Sequence, residues 1–283
     1  MTRLPALVMA ALLLCTAAAP ALAQTDAYKP TVGQEGKDVI WVPTPPALVE
    51  RMLRMAQVTS RDFVVDLGAG DGRIPIAAAK TFGARAMGIE YNPDMVKLSV
   101  RLAREAGVSD KVQMVEGDIF EKDFSTATVV TTYLLTELNL RLRPRLLDMK
   151  PGTRVVTHLF GMGEWQPDET SVVEGRPAFL WIVPARVNGR WKVTLPALRS
   201  AKPREATLDV EQQFQKISGT VNFGRMTTTL RDPVISGDSI RFKLTDEDSK
   251  VREFTGRVTG NSMSGTVAGG RRWKAERSEA PKS

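Results

Sequence analysis

The chain has 283 residues, 42% hydrophobic and 25% charged, which are globular proportions that exclude disorder, a collagen repeat and a disulfide scaffold. Its 39 Lys and Arg exceed 32 Asp and Glu, giving a formal net charge of +7. One cysteine, Cys15, and one histidine, His158, rule out an internal disulfide and a Cys/His zinc site. No metal site is expected, and a histidine-based triad would have only His158 to draw on.

Arg3 precedes an uncharged, Leu- and Ala-rich stretch from Leu4 to Thr25. A helix-breaking Pro20 and the small-x-small run Ala21-Leu22-Ala23 complete the layout of a secretory signal peptide, residues 1–23, cleaved after Ala23. The stretch is also just long enough for an uncleaved membrane anchor. Arg3 stays cytoplasmic in either case, so the body is expected outside the cytoplasm, periplasmic or secreted. Leu14, where a lipoprotein signal wants a small residue, argues against lipid attachment at Cys15.

Asp26–Lys37 is polar and reads as a linker within the segment 24–44. From Pro45 to Val58 the apolar residues recur at helical spacing. Phe63–Leu67 is a short apolar run ending in glycines, hence a buried strand, and Ile74–Phe82 continues as a helix. Arg85–Tyr91 is a second strand. Asn92-Pro93-Asp94 then supplies an N-cap, a proline at the first helical position and an early acid, for a helix that Gly107 stops. Val112–Val115, Ala127–Leu135 and Thr153–Phe160 are further strands, with a helix from Leu138 to Met149 that Pro144 kinks or delays. This alternation predicts an α/β unit over 45–184 with a mostly parallel sheet. Beyond Pro184 short alternating runs, Thr207–Ile217 among them, predict an antiparallel β meander or small barrel over 185–276, then a polar tail, 277–283. Asn188-Gly189, between Phe179–Val187 and Arg190–Leu195, is the strongest hairpin signal there.

The chemistry is concentrated in Val64-Val65-Asp66-Leu67-Gly68-Ala69-Gly70-Asp71-Gly72-Arg73. A strand runs into a glycine loop that opens a helix, so bare backbone and a helix N-terminus meet a ligand. Arg73 stands where a dinucleotide fingerprint requires its last glycine, which disfavours a nicotinamide oxidoreductase. Glu90 ends the second strand, where a carboxylate accepts from ribose hydroxyls. Asp118 follows the third, placed to take an exocyclic adenine amine.

This arrangement resembles the class I, seven-strand, S-adenosylmethionine-dependent methyltransferases. The resemblance covers about residues 42–184 and implies a Rossmann-like sheet of seven strands, the last antiparallel, with helices on both faces. Ser171–Glu174 and Ala178–Val183 would supply strands six and seven. It implies S-adenosylmethionine as cofactor, held by Asp66, Gly68, Gly70, Gly72, Glu90 and Asp118. A finer likeness is to the seven-strand protein-lysine methyltransferases, of the histone-lysine and ATP-synthase c-subunit types. It rests on Trp41-Val42-Pro43-Thr44-Pro45, on the glycine loop, and on Val129-Val130-Thr131-Thr132-Tyr133-Leu134-Leu135. In that family the Pro-Thr segment covers the cofactor, which would put Thr44 beside it.

The expected function is therefore in-line methyl transfer to a protein lysine amine. Tyr133, Thr136 and Glu137 are the candidates lining the acceptor slot. The Asn/Asp-Pro-Pro-Tyr signature of amine methylation on bases or glutamine is absent after strand four, so nucleic acid is disfavoured as acceptor. The positive charge suits an anionic membrane surface or an acidic protein, and Arg141, Arg143 and Arg145 fall near the expected active-site rim. The competing reading is a non-catalytic exported binding protein, with the methyltransferase fold as scaffold and a ligand in the β domain.

Overall fold

A computed structural model describes residues 28–196, 203–246, 249–267 and 269–279. The expected signal peptide, with Arg3, Cys15 and Ala23, lies outside the described residues, as does the end of the expected tail. The first part alternates helix and strand: α1 (Pro46–Met55), β1 (Phe63–Leu67), α2 (Arg73–Phe82), β2 (Arg85–Glu90), α3 (Pro93–Glu105) and β3 (Val112–Glu116). It continues with β4 (Val129–Thr132), α4 (Thr136–Leu147), β5 (Arg154–His158), β6 (Glu169–Val173) and β7 (Arg176–Ile182).

Local chemistry sets these boundaries. Asn92 caps α3 by accepting from the backbone N–H groups of Asp94 (2.9 Å) and Met95 (3.2 Å). Gly72 and Gly83 bracket α2, both in the left-handed region that glycine tolerates best. Pro144 was expected to kink or delay α4. The helix instead starts at Thr136 and carries Pro144 inside. Pro144 cannot donate to the carbonyl of Leu140, but both residues lie on the exposed side, where water can satisfy that carbonyl.

The strands form one sheet in the order β3-β2-β1-β4-β5-β7-β6, with only β7 antiparallel to its neighbours. Adjacent residues of β1 point to opposite faces. Val64 packs with Met52 and Leu53 of α1 and Ile74 and Ala78 of α2. Val65 packs with Leu138, Leu142 and Leu146 of α4, beside Trp165 and Trp181. Each such large apolar side chain contributes roughly 1.5–3 kcal/mol by burial. The sheet is thus clamped from both faces, and its parallel strands deliver their C-terminal ends, with the loops that follow, to one edge.

The second part is all β: β8 (Gly189–Leu195), β9 (Arg204–Gln213), β10 (Lys216–Asn222), β11 (Thr227–Thr229), β12 (Arg231–Ser236), β13 (Ser239–Thr245), β14 (Val251–Thr259), β15 (Ser262–Val267) and β16 (Arg271–Glu279). They form an antiparallel sheet ordered β11-β10-β9-β8-β16-β15-β14-β13-β12. Leu230 alone separates β11 from β12, the two ends of this order, so the sheet curls on itself as a barrel. Its interior is filled: Phe242 stacks on Phe254 at 5.2 Å, and Trp273 meets both edge-on at 5.6 and 6.0 Å. Trp191, Val193, Leu208 and Met263 join the same cluster. Side chains occupy the space that the binding-protein reading reserved for a ligand.

Three sequence expectations change here. Asn188-Gly189 closes no hairpin, because β7 pairs with β5 and β6 while β8 pairs with β9 and β16. Gln212 Oε1 accepts from the N–H of Val187 at 2.7 Å, and Arg277 donates to the carbonyl of Asn188; these contacts make the segment a crossing between sheets. The run Thr207–Ile217 is two strands, β9 and β10, turned at Phe214-Gln215. The tail expected from 277 is strand through Glu279, because the carbonyls of Arg186 and Asn188 and the side chain of Asn261 hold Arg277.

Candidate active site

The loop between β1 and α2 carries three glycines at positive φ: Gly68 at 77°, Gly70 at 54° and Gly72 at 78°. A Cβ on Gly70 would sit 2.6 Å from Nε1 of Trp41, so the indole lies against bare backbone. Four acids surround this loop. Asp66 is 3% exposed and accepts from Thr131 Oγ1 at 2.6 Å. Burial, with Glu90 and Asp71 adding like charge, pushes its carboxyl up to about 7. Glu90 accepts from the N–H of Gly70 (2.8 Å) and of Asn92 (2.9 Å), which ties the loop to the end of β2. Asp118 is paired with Lys37 and accepts from the N–H of Phe120 at 2.8 Å; both contacts hold it below the usual carboxylate range. Asp71 grips Arg73 (2.9 and 2.5 Å), and Arg73 Nη1 donates to the carbonyl of Thr44 at 2.8 Å.

Residues 34–44 form a strap over the loop. Paired backbone bonds between Gln34 and Trp41, and between Trp41 and Gly33, both 2.9 Å, close it into a turn. Beneath it lies a cavity of about 610 Å³, within the range of small-molecule sites. Asp66, the glycine loop, Glu90 and Asp118 line one side, and Tyr133, Leu134, Leu135, Leu138 and Phe160 line another. Behind that apolar wall is His158, whose Nδ1 lies 3.0 Å from Thr44 Oγ1 and whose ring centre is 3.8 Å from that of Tyr133. Burial and the nearby Arg176 push its pKa down to about 4, so the imidazole is neutral at physiological pH.

Of the residues expected at the site, Thr44, Asp66, Gly68, Gly70, Glu90, Asp118 and Tyr133 reach the cavity wall. Gly72 stands behind it as the cap of α2. Thr136 and Glu137 open α4 and do not line the cavity, because helical geometry turns Leu138 inward in their place. The arginines after strand four are held by the fold. Arg145 donates to the carbonyls of Ile119, Phe120 and Lys122 (3.0, 2.7 and 2.7 Å), Arg143 to that of Met162 (3.0 Å), and Arg141 covers the Phe120 ring at 3.8 Å. Sequence reasoning missed Lys37, Arg73, Tyr91, Leu138 and Phe160. Trp41, inside the Pro-Thr motif, was the available signal for the roof.

The residues present suit a nucleoside-containing cofactor. Two carboxylates follow adjacent strands, glycines leave backbone bare, and a strap roofs a cavity large enough for a small molecule. Strand order and site together define a nucleoside-cofactor enzyme with its ligand at the strand ends.

Comparison with known proteins gives the particular kind. Residues 66–169 match the family model of the ANTKMT methyltransferase domain. A protein-lysine N-methyltransferase of Saccharolobus islandicus is 46% identical over 138 residues, which are 48% of this chain and 86% of that protein. The mouse lysine N-methyltransferase of the ATP-synthase c-subunit is 35% identical over 132 residues, 46% of this chain and 53% of its own length. A crystal structure described as an RNA methyltransferase, from Salinibacter ruber with S-adenosyl-L-homocysteine, is 52% identical with a TM-score of 0.51, covering 52% of this chain and 96% of that one. The chain belongs to the S-adenosylmethionine-dependent methyltransferases, in the family of the Saccharolobus enzyme.

Proposed function

We propose that the protein methylates the ε-amine of a lysine in a partner protein, outside the cytoplasm. The observation that carries the acceptor is the apolar wall of Tyr133, Leu134, Leu135, Leu138 and Phe160, continuous with the cofactor acids in one cavity. Bound S-adenosylmethionine supplies a methyl group on a positively charged sulfur. The chain's part is to align the acceptor with it and keep water out, and alignment alone can supply several orders of magnitude in rate. A lysine amine, with a reference pKa of ~10.4, must lose its proton before it attacks. Desolvation against apolar and aromatic groups favours the neutral amine, so no dedicated base is needed. Neutral His158, turned to Thr44, is not such a base.

Relatives named as lysine methyltransferases support a protein acceptor. The name of the Salinibacter protein favours RNA instead. Thr132-Tyr133-Leu134-Leu135 departs from the Asn/Asp-Pro-Pro-Tyr of amine methylation on bases, and this weighs for the lysine. An acceptor at an anionic membrane surface, or an acidic one, complements the net positive charge. The test supplies methyl-labelled S-adenosylmethionine with an envelope extract and with total RNA. Expected is label in protein, recovered as methyllysine, and lost in Glu90→Ala together with at least about tenfold in cofactor affinity. Label in RNA, or none in protein, overturns the lysine acceptor.

A further inference from the structure

His158, at the end of β5, is 2% exposed and is the chain's one histidine. It touches two residues of the cavity wall without lining the cavity itself: Thr44 through a 3.0 Å hydrogen bond, and Tyr133 through ring contact at 3.8 Å. Thr44 is fixed at a second point, since its carbonyl accepts from Arg73, which Asp71 holds in turn. One buried ring therefore links the roof of the cavity to its apolar wall. Whichever partner donates, the bond removes the freedom of the Thr44 hydroxyl to rotate.

Packing does not account for a histidine here. Its Nε2 is buried with no hydrogen-bond partner among the described residues. An unpaired buried nitrogen is a net loss, and an apolar ring would fill the same space without it. Strand order says which end of the cavity the ring serves. Asp118 and Glu90 follow β3 and β2, on one side of β1; β5 lies on the other side, beyond β4. The Thr44–His158 pair is thus at the end away from the two acids assigned to adenine and ribose.

We propose that His158 is a positioning residue, which orients the Thr44 hydroxyl and the Tyr133 ring at the end of the cavity that takes the methionine part of the donor. This rests on S-adenosylmethionine as the donor and is independent of the acceptor. The test is calorimetry with S-adenosylmethionine and, separately, with 5′-methylthioadenosine, which lacks the amino-acid part. His158→Leu and Thr44→Val are expected to weaken S-adenosylmethionine by about 3–10-fold, the worth of one hydrogen bond, and 5′-methylthioadenosine by less than about twofold. The double variant is expected to bind like the weaker single one, because both changes remove one linkage. His158→Asn, which keeps a polar group near Nδ1, is expected to recover most of the loss. Unchanged affinity in both single variants, parallel losses for the two ligands, or losses that multiply in the double variant would overturn the role. Thr44→Val reads the same linkage from the strap if His158→Leu fails to fold. Wild-type protein that binds 5′-methylthioadenosine but not S-adenosylmethionine refutes the donor, and this role with it.

Discussion

Asp66 lies beneath the glycine loop with its carboxyl enclosed, accepting from Thr131 at 2.6 Å and facing the charges of Glu90 and Asp71. Its folded pKa is about 7 against an ordinary 3.8. The fold therefore prefers the protonated acid. That stabilisation is complete below about pH 4 and is lost as pH rises through about 7. Wild-type protein should melt lower at pH 8 than at pH 5. Asp66→Asn, which stays neutral and can still accept from Thr131, should lose less, so that the two melting temperatures differ by at least about 3 °C more at pH 8 than at pH 5. Melting curves of the two proteins that shift in parallel with pH would refute this account. Asp66, Glu90 and Asp118 were legible because each belongs to a strand end next to a loop that names its chemistry. Lys37 was not legible, since its pairing with Asp118 joins segments 81 residues apart and no local pattern announces it. Phe160 sits just past β5, and only the folded sheet brings it onto Tyr133, with ring centres 6.1 Å apart.

At the level of elements, the first five strands and the four helices of the α/β half were readable from alternation, because short apolar runs interleave with helical spacing, while strands six and seven came from the family resemblance. The barrel was readable as a class but not in its pairing. Asn188-Gly189 has the local preference for a tight hairpin, yet its flanking strands find better partners in two different sheets, and tertiary pairing overrides the turn. The turn between β9 and β10, which meets the α/β half, has no glycine. Phe214, at the tip of β9 and β10, stacks on Trp165 at 6.1 Å under the guanidinium of Arg143, and Gln215 Nε2 donates to the carbonyl of Gln166 at 2.6 Å. This tip docks the barrel on the face that α4 covers. Phe214→Ala removes the aromatic half of that contact and is expected to cost about 1–3 kcal/mol, lowering the melting temperature by about 2–4 °C per kcal/mol. Phe214 is outside the cavity wall, so affinity for S-adenosylmethionine should stay within about twofold. Unfolding in which the barrel melts without any change on Phe214→Ala would show that the tip does not couple the two sheets.

The whole molecule joins a cofactor cavity to a barrel whose interior is packed solid, so any partner of the barrel must meet its outer face. Along β16 that face presents Arg272 and Lys274, opposite Thr266 and Ser264 of β15. Cations on a Ser- and Thr-rich sheet suit the anionic or acidic surface proposed for the acceptor. No helix among the described residues is long and apolar enough to cross a membrane. The expectation about location rests on the first 23 residues. Those residues read as a signal peptide, while S-adenosylmethionine is a cytoplasmic metabolite. The two statements make different demands: an exported enzyme needs its donor supplied outside, whereas a retained one does not. An alkaline-phosphatase fusion after residue 30 separates them, because that reporter is active only once exported. An active fusion is expected, and one carrying Arg3→Glu, which reverses the charge that orients the segment, should lose most of its activity. An inactive parent fusion would place the enzyme with its donor in the cytoplasm and turn the search for its acceptor inward.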